Sequence, residues 1–120
     1  MSKKILIVDD SKFSRTTLGQ VLKEADYEII GLAGSASEAQ NLLSSSVDIL
    51  ILDLVLPEIN GIEFAKQVRT SFPSIKILMI SSLGQEHIIL EALSAGAIDF
   101  LKKPFEKKDL LEAVERLKLS

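Results

Sequence analysis

The chain contains no cysteine, which excludes a disulfide framework and thiolate metal sites and leaves nothing that asks for an oxidising compartment. A cytoplasmic protein is the expectation. Concentrated positive charge is also missing. The net charge is -3, charged residues make up 26% of the chain, and Lys102 with Lys103 is too short a basic stretch for a nucleic-acid footprint. No direct nucleic-acid binding is expected. Met1-Ser2-Lys3-Lys4 has the charge of a signal peptide, but the apolar run from Ile5 to Val8 stops at Asp9-Asp10. That run is too short for export or for spanning a bilayer, so no membrane role is expected. Linkers, low-complexity stretches and internal repeats are absent too. A chain of 120 residues, 47% of them hydrophobic, therefore reads as one domain over residues 1–120 with a core of its own.

What is present alternates between two patterns. Ile5-Leu6-Ile7-Val8 is a continuous β-branched and leucine run, as expected of a parallel strand buried on both faces. Ser11 caps a helix running to about Asp26, with Phe13, Leu18, Val21, Leu22 and Ala25 inward and Lys12, Arg15, Gln20 and Lys23 outward. Glu28 to Ala33 reads as a second strand, and Ser37 to Gln40 has the spacing of a capping box opening a second helix. Val47 to Leu52 is a third strand, apolar apart from Asp48, followed by a loop with Pro57, Asn60 and Gly61. Ile62 to Thr70 form a third helix stopped before Pro73, and Ile75 to Ile80 a fourth strand ending at Ser81-Ser82. A helix from Glu86 to Ala95 closes on Gly96, a short strand covers Asp99 to Lys102, and after Pro104 a last helix puts Leu110, Leu111, Val114, Leu117 and Leu119 on one side.

Strict alternation of five strands and five helices predicts an α/β fold, a doubly wound parallel sheet with right-handed crossovers. Ligands bind such sheets beyond the carboxyl ends of the strands. The residues at those ends are Asp9, Asp10, Asp53, Ser81 and Lys103. Three carboxylates brought to one edge repel unless a cation or protons neutralise them. Only oxygen ligands are on offer, which favours a hard divalent ion, Mg²⁺, with Mn²⁺ as a substitute. A carboxylate beside such an ion can attack a phosphoryl group, Lys103 can add an ammonium, and the Ser81 hydroxyl can donate to a phosphoryl oxygen.

Asp9-Asp10, the stretch from Asp53 to Gly61, Ser81 and Lys103-Pro104-Phe105 together resemble the receiver domain of two-component response regulators (CheY-like), over essentially the whole chain. The resemblance implies a five-stranded sheet in the order 2-1-3-4-5. It implies Asp53 as phosphoacceptor, metal binding by Asp9, Asp10, Asp53 and the backbone carbonyl of Val55, and a phosphoryl contact from Lys103. It further implies a cis peptide bond at Lys103-Pro104. It makes Ser81 and Phe100 a coupled switch that remodels the face of the fourth helix, fifth strand and fifth helix, where protein targets dock. Phe100 departs from the tyrosine of many chemotaxis members and lacks its hydroxyl. Val55 and Leu83 take the positions that tune hydrolysis; neither can orient a water, so slow self-dephosphorylation is expected. His87 has no metal-type partner nearby and is given no role, and Lys102 reads as solvated.

The expected function is thus a phosphoacceptor switch, not an enzyme with an external substrate. It is loaded by a histidine kinase or phosphotransfer protein and acts by protein contact as a stand-alone chemotaxis-type or relay regulator without an output domain. The alternative is a receiver excised from a longer regulator. A metal-dependent phosphatase with Asp53 as nucleophile would need a substrate pocket that such short loops do not build. A flavin binder of the same architecture would not end its first strand in two repelling aspartates.

Overall fold

Runs without polar interruption become the middle of the sheet. The computed structural model describes residues 2–82, 89–94 and 97–119. Its strands are β1 (Lys4–Val8), β2 (Glu28–Ala33), β3 (Ile49–Asp53), β4 (Lys76–Ser81) and β5 (Ala97–Lys102). All neighbours pair in parallel in the order β2-β1-β3-β4-β5, as expected. The runs β1, β3 and β4 are buried almost throughout, whereas the edge strand β2 keeps several half-exposed positions. Asp48, the polar interruption expected inside the third strand, lies just before it, where its carboxylate accepts a hydrogen bond from the Lys4 amide at 2.8 Å. The strand runs on to Asp53 instead.

The helices are α1 (Lys12–Glu24), α2 (Ala36–Gln40), α3 (Gly61–Ser71), α4 (Ile89–Ser94) and α5 (Lys107–Leu119). Strand side chains alternate between two cores. Leu6, Val8, Leu50, Leu52, Ile77 and Met79 pack with Ala36 and Ala39 of α2 and Phe64, Ala65 and Val68 of α3. On the other face, Ile5, Ile7, Ile49, Ile51, Leu78 and Ile80 pack with Leu18 and Leu22 of α1 and Leu110, Ala113, Val114 and Leu117 of α5. Each fully buried large apolar side chain contributes about 1.5–3 kcal/mol. None of the helices in the described residues is long and apolar enough to cross a membrane.

Four local expectations change. Phe13, assigned to the inward face of the first helix, is 82% exposed, because the face of α1 that packs on the sheet is buried only from Leu18 onward. Leu119 is equally exposed on the last turn of α5. Helix α1 stops at Glu24, not Asp26. Asp26 takes φ 71, and the Tyr27 and Asp26 amides return to the carbonyls of Leu22 and Lys23, a Schellman closure with aspartate where glycine is usual. The cap of α2 is Ser35 rather than Ser37: its hydroxyl accepts from the Glu38 amide, while Glu38 reaches back to the Gly34 amide. The helix start at Glu86, its close at Ala95 and Gly96, and the positions of Leu83 and His87 lie outside the described residues.

Candidate acidic phosphoryl site

Because the chain leaves β1 toward β2 on one side and returns to β3 on the other, the crevice beyond β1 and β3 is where an open parallel sheet accepts ligands. Asp9 directly follows β1 and is wholly buried. Its amide donates to the Ala33 carbonyl at 3.0 Å, which extends the pairing with β2 by one residue. Its Oδ1 accepts from the Ser11 amide at 2.9 Å, and its Oδ2 accepts from Ser14 Oγ at 2.6 Å and from Lys103 Nζ at 3.1 Å. Asp10, one residue on, is exposed.

Asp53 is the last residue of β3 and is 6% exposed. Its Oδ1 accepts from the Val55 amide at 3.1 Å, and its Oδ2 lies 3.7 Å from Lys103 Nζ. One carboxylate oxygen from each of Asp9, Asp10 and Asp53 falls within 4.8 Å of the others. Ser81 ends β4, buried, and its Oγ has no hydrogen-bond partner among the described residues. Lys103 follows β5; its amide donates to the Ser81 carbonyl at 2.6 Å, and the Lys103-Pro104 peptide is cis. The strand-end residues picked out in the sequence therefore converge, with Val55 tied to Asp53 by its amide. Phe100 is half-buried on β5 against the core shared with α2 and α3. Lys102 is exposed.

Electrostatics separates the two buried acids. Burial, reinforced by the negative charge of Asp9, pushes Asp53 up to about 6, against the pull of the Val55 amide and Lys103. Burial presses Asp9 the same way, but hydrogen bonds from Ser14, the Ser11 amide and Lys103 outweigh it and hold Asp9 below the ordinary carboxylate range. The Lys103 ammonium thus pairs with two of the three clustered carboxylates, Asp9 and Asp53. An all-oxygen cluster of this kind suits a hard divalent cation, and the buried Ser81 hydroxyl, without a partner among the described residues, leaves a donor for an oxyanion.

Three supporting residues escaped the sequence reading. Ser14 lies one turn into α1, five residues after Asp9, and only the fold brings its hydroxyl back onto that carboxylate. Arg15, expected to face outward, donates to the Asp9 carbonyl at 3.1 Å. Glu58 accepts from the amide and hydroxyl of Ser37 at 3.1 and 2.6 Å, tying the loop after Asp53 to the first turn of α2. Gly61 was legible only as a loop residue. A Cβ there would lie 2.4 Å from the Asp53 carbonyl oxygen, so the start of α3 can sit against the end of β3 only as glycine.

An open, doubly wound parallel sheet with acids at its switch point defines an α/β protein with a candidate divalent-cation site, and the comparisons narrow it. Residues 5–115 match the family described as response regulator receiver domain, and the chain belongs to that family. The chemotaxis protein CheY of Thermotoga maritima is 37% identical over 118 residues, covering 98% of both chains. The chemotaxis protein CheY of Listeria monocytogenes is 38% identical over 94% of this chain and 96% of its own. Among solved structures, a putative response regulator from Chloroflexus aurantiacus superposes with a TM-score of 0.91 at 34% identity, covering both chains completely.

Proposed function

We propose that this receiver accepts a phosphoryl group on Asp53 from a histidine kinase or phosphotransfer protein and thereby switches a protein-binding face. The observation that carries the reading is Lys103 Nζ poised between Asp9 and Asp53, 3.1 and 3.7 Å away, with Ser81, whose hydroxyl has no hydrogen-bond partner among the described residues, at the end of the neighbouring strand. An Oδ of Asp53 attacks phosphorus, an O–P bond forms, and the bond to the donor nitrogen breaks with its electron pair, the nitrogen then taking up a proton. Asp9, Asp10, Asp53 and the Val55 carbonyl would hold Mg²⁺, or Mn²⁺ in its place, which when bound screens the repulsion between carboxylate and phosphoryl group. Lys103 steadies the transferred oxygens, and Ser81 donates its free hydroxyl to one of them.

Movement of Ser81 toward the phosphoryl group leaves room for Phe100 to turn inward, reshaping the face of α4, β5 and α5 for a target protein. The near-complete coverage of the CheY relatives favours a chemotaxis-type or relay regulator acting by protein contact as a stand-alone chain, with the cytoplasm as its expected compartment. A receiver within a longer regulator is the second form, and the intact mass of the native protein separates the two.

Incubation with Mg²⁺ and a small phosphodonor tests the reading by intact mass. One phosphoryl group should load on the parent and none on Asp53→Asn. Multiple turnover of a phosphomonoester would instead make the chain a phosphatase and sink the switch.

A further inference from the structure

An ionised carboxylate offers about four lone-pair positions, two on each oxygen. On Asp9, Oδ1 receives the Ser11 amide, and both positions on Oδ2 are taken, by Ser14 Oγ at 2.6 Å and Lys103 Nζ at 3.1 Å. Lys103 is therefore hydrogen-bonded to Asp9 and lies farther from Asp53, at 3.7 Å. A phosphoryl group on Asp53 would draw that ammonium away. Asp9 is wholly buried, so solvent does not replace a donor lost from Oδ2, and an uncompensated buried carboxylate is costly. The 2.6 Å contact from Ser14 has the length of a charge-assisted bond. It comes from a rigid place: the Ser14 amide is fixed by the Ser11 cap at 3.2 Å, and its hydroxyl is spent on Asp9 rather than on the carbonyl one helical turn back.

We infer that Ser14 is a positioning residue, the donor that keeps the Asp9 carboxylate held and oriented while Lys103 changes partner from Asp9 to the phosphoryl group. Ser14 touches neither the transferred group nor Asp53; it acts through Asp9. The inference rests on the phosphoacceptor reading given above. It adds that the ease of reaching the phosphorylated state is set partly from the first turn of α1.

The test is a titration of beryllium fluoride, a phosphoryl mimic, at saturating Mg²⁺, and of Mg²⁺ alone. Both are followed by amide shifts in the parent, Ser14→Ala and Ser14→Thr, with circular dichroism to verify folding. Ser14→Ala should weaken beryllium fluoride binding about tenfold. The loss for Mg²⁺ alone should be smaller, since Lys103 need not leave Asp9, and Ser14→Thr should restore most of the affinity. Equal affinity in parent and Ser14→Ala, or equal weakening by Ala and Thr, overturns the inference while leaving the receiver reading intact. Should the parent bind neither probe, the receiver reading itself has failed, and the role of Ser14 with it. If Ser14→Ala does not fold, Ser14→Cys, close in volume but a poor donor, takes its place, and unchanged affinity there is equally fatal.

Discussion

Asp53 carries a cost that the fold imposes. Its folded pKa of about 6 stands above the ordinary 3.8 because it is buried beside Asp9. Between those values the folded chain binds a proton that the unfolded chain has released, so metal-free stability falls as pH rises from about 4 to 6 and stays lower above that. Asp53→Asn should therefore be more stable than the parent at pH 7.5 in chelator, by on the order of 2–3 kcal/mol. The advantage should vanish near pH 4. Urea unfolding at the two pH values measures both, and Mg²⁺ should narrow the gap at pH 7.5 by stabilising the parent more. Gly61 makes the opposite case to ordinary helix propensity. Glycine to alanine in a helix usually gains up to about 1 kcal/mol. Here the added Cβ meets backbone of Asp53 and Leu54 at 2.4–2.9 Å, so Gly61→Ala should cost about 1–3 kcal/mol in denaturant and slow phosphoryl loading.

Among the elements, the strands were the most legible part of the chain, because burial on both faces leaves an uninterrupted apolar run that ends where the sheet ends. Asp9, Asp53 and Ser81 could be picked out for the same reason, since each closes such a run, whereas Lys103 follows a strand interrupted by Asp99. Helix faces were less so. Periodicity put Phe13 with Leu18 and Leu22, but it cannot say whether the sheet extends far enough to cover the first turn. Phe13→Ala should thus change unfolding free energy by no more than about 0.5 kcal/mol, whereas Phe64→Ala, at a fully buried site in α3, should cost about 3–5 kcal/mol. A large loss at Phe13 in a thermal or chemical melt would place that ring in a core. The hydroxyl of Ser14 and the guanidinium of Arg15 were unreadable for a different reason. Their partners lie on Asp9, reached only once α1 has docked on β1.

For the molecule as a whole, the proposed phosphorylated state would last as long as water is kept from the phosphoryl group. Val55 is 52% exposed beside Asp53 and offers no hydrogen-bonding side chain to an attacking water. Val55→Asn should speed loss of phosphate, read as decay of the loaded species by intact mass after the phosphodonor is removed, and an unchanged decay rate would remove the apolar-shield explanation. The clasp between Glu58 and Ser37 bears on the same scale, since it anchors the loop carrying Val55 to the opposite side of the crevice.

The bond from the Lys103 amide to the Ser81 carbonyl carries the pairing of β4 and β5 one step past Ser81 and Lys102. Main-chain displacement at one tip must carry the other along, so hydroxyl and ammonium behave as two prongs of one fork. Under the proposed loading of Asp53, a signal would enter both strands at once, and a target gripping β5 would feel the serine as well as the lysine.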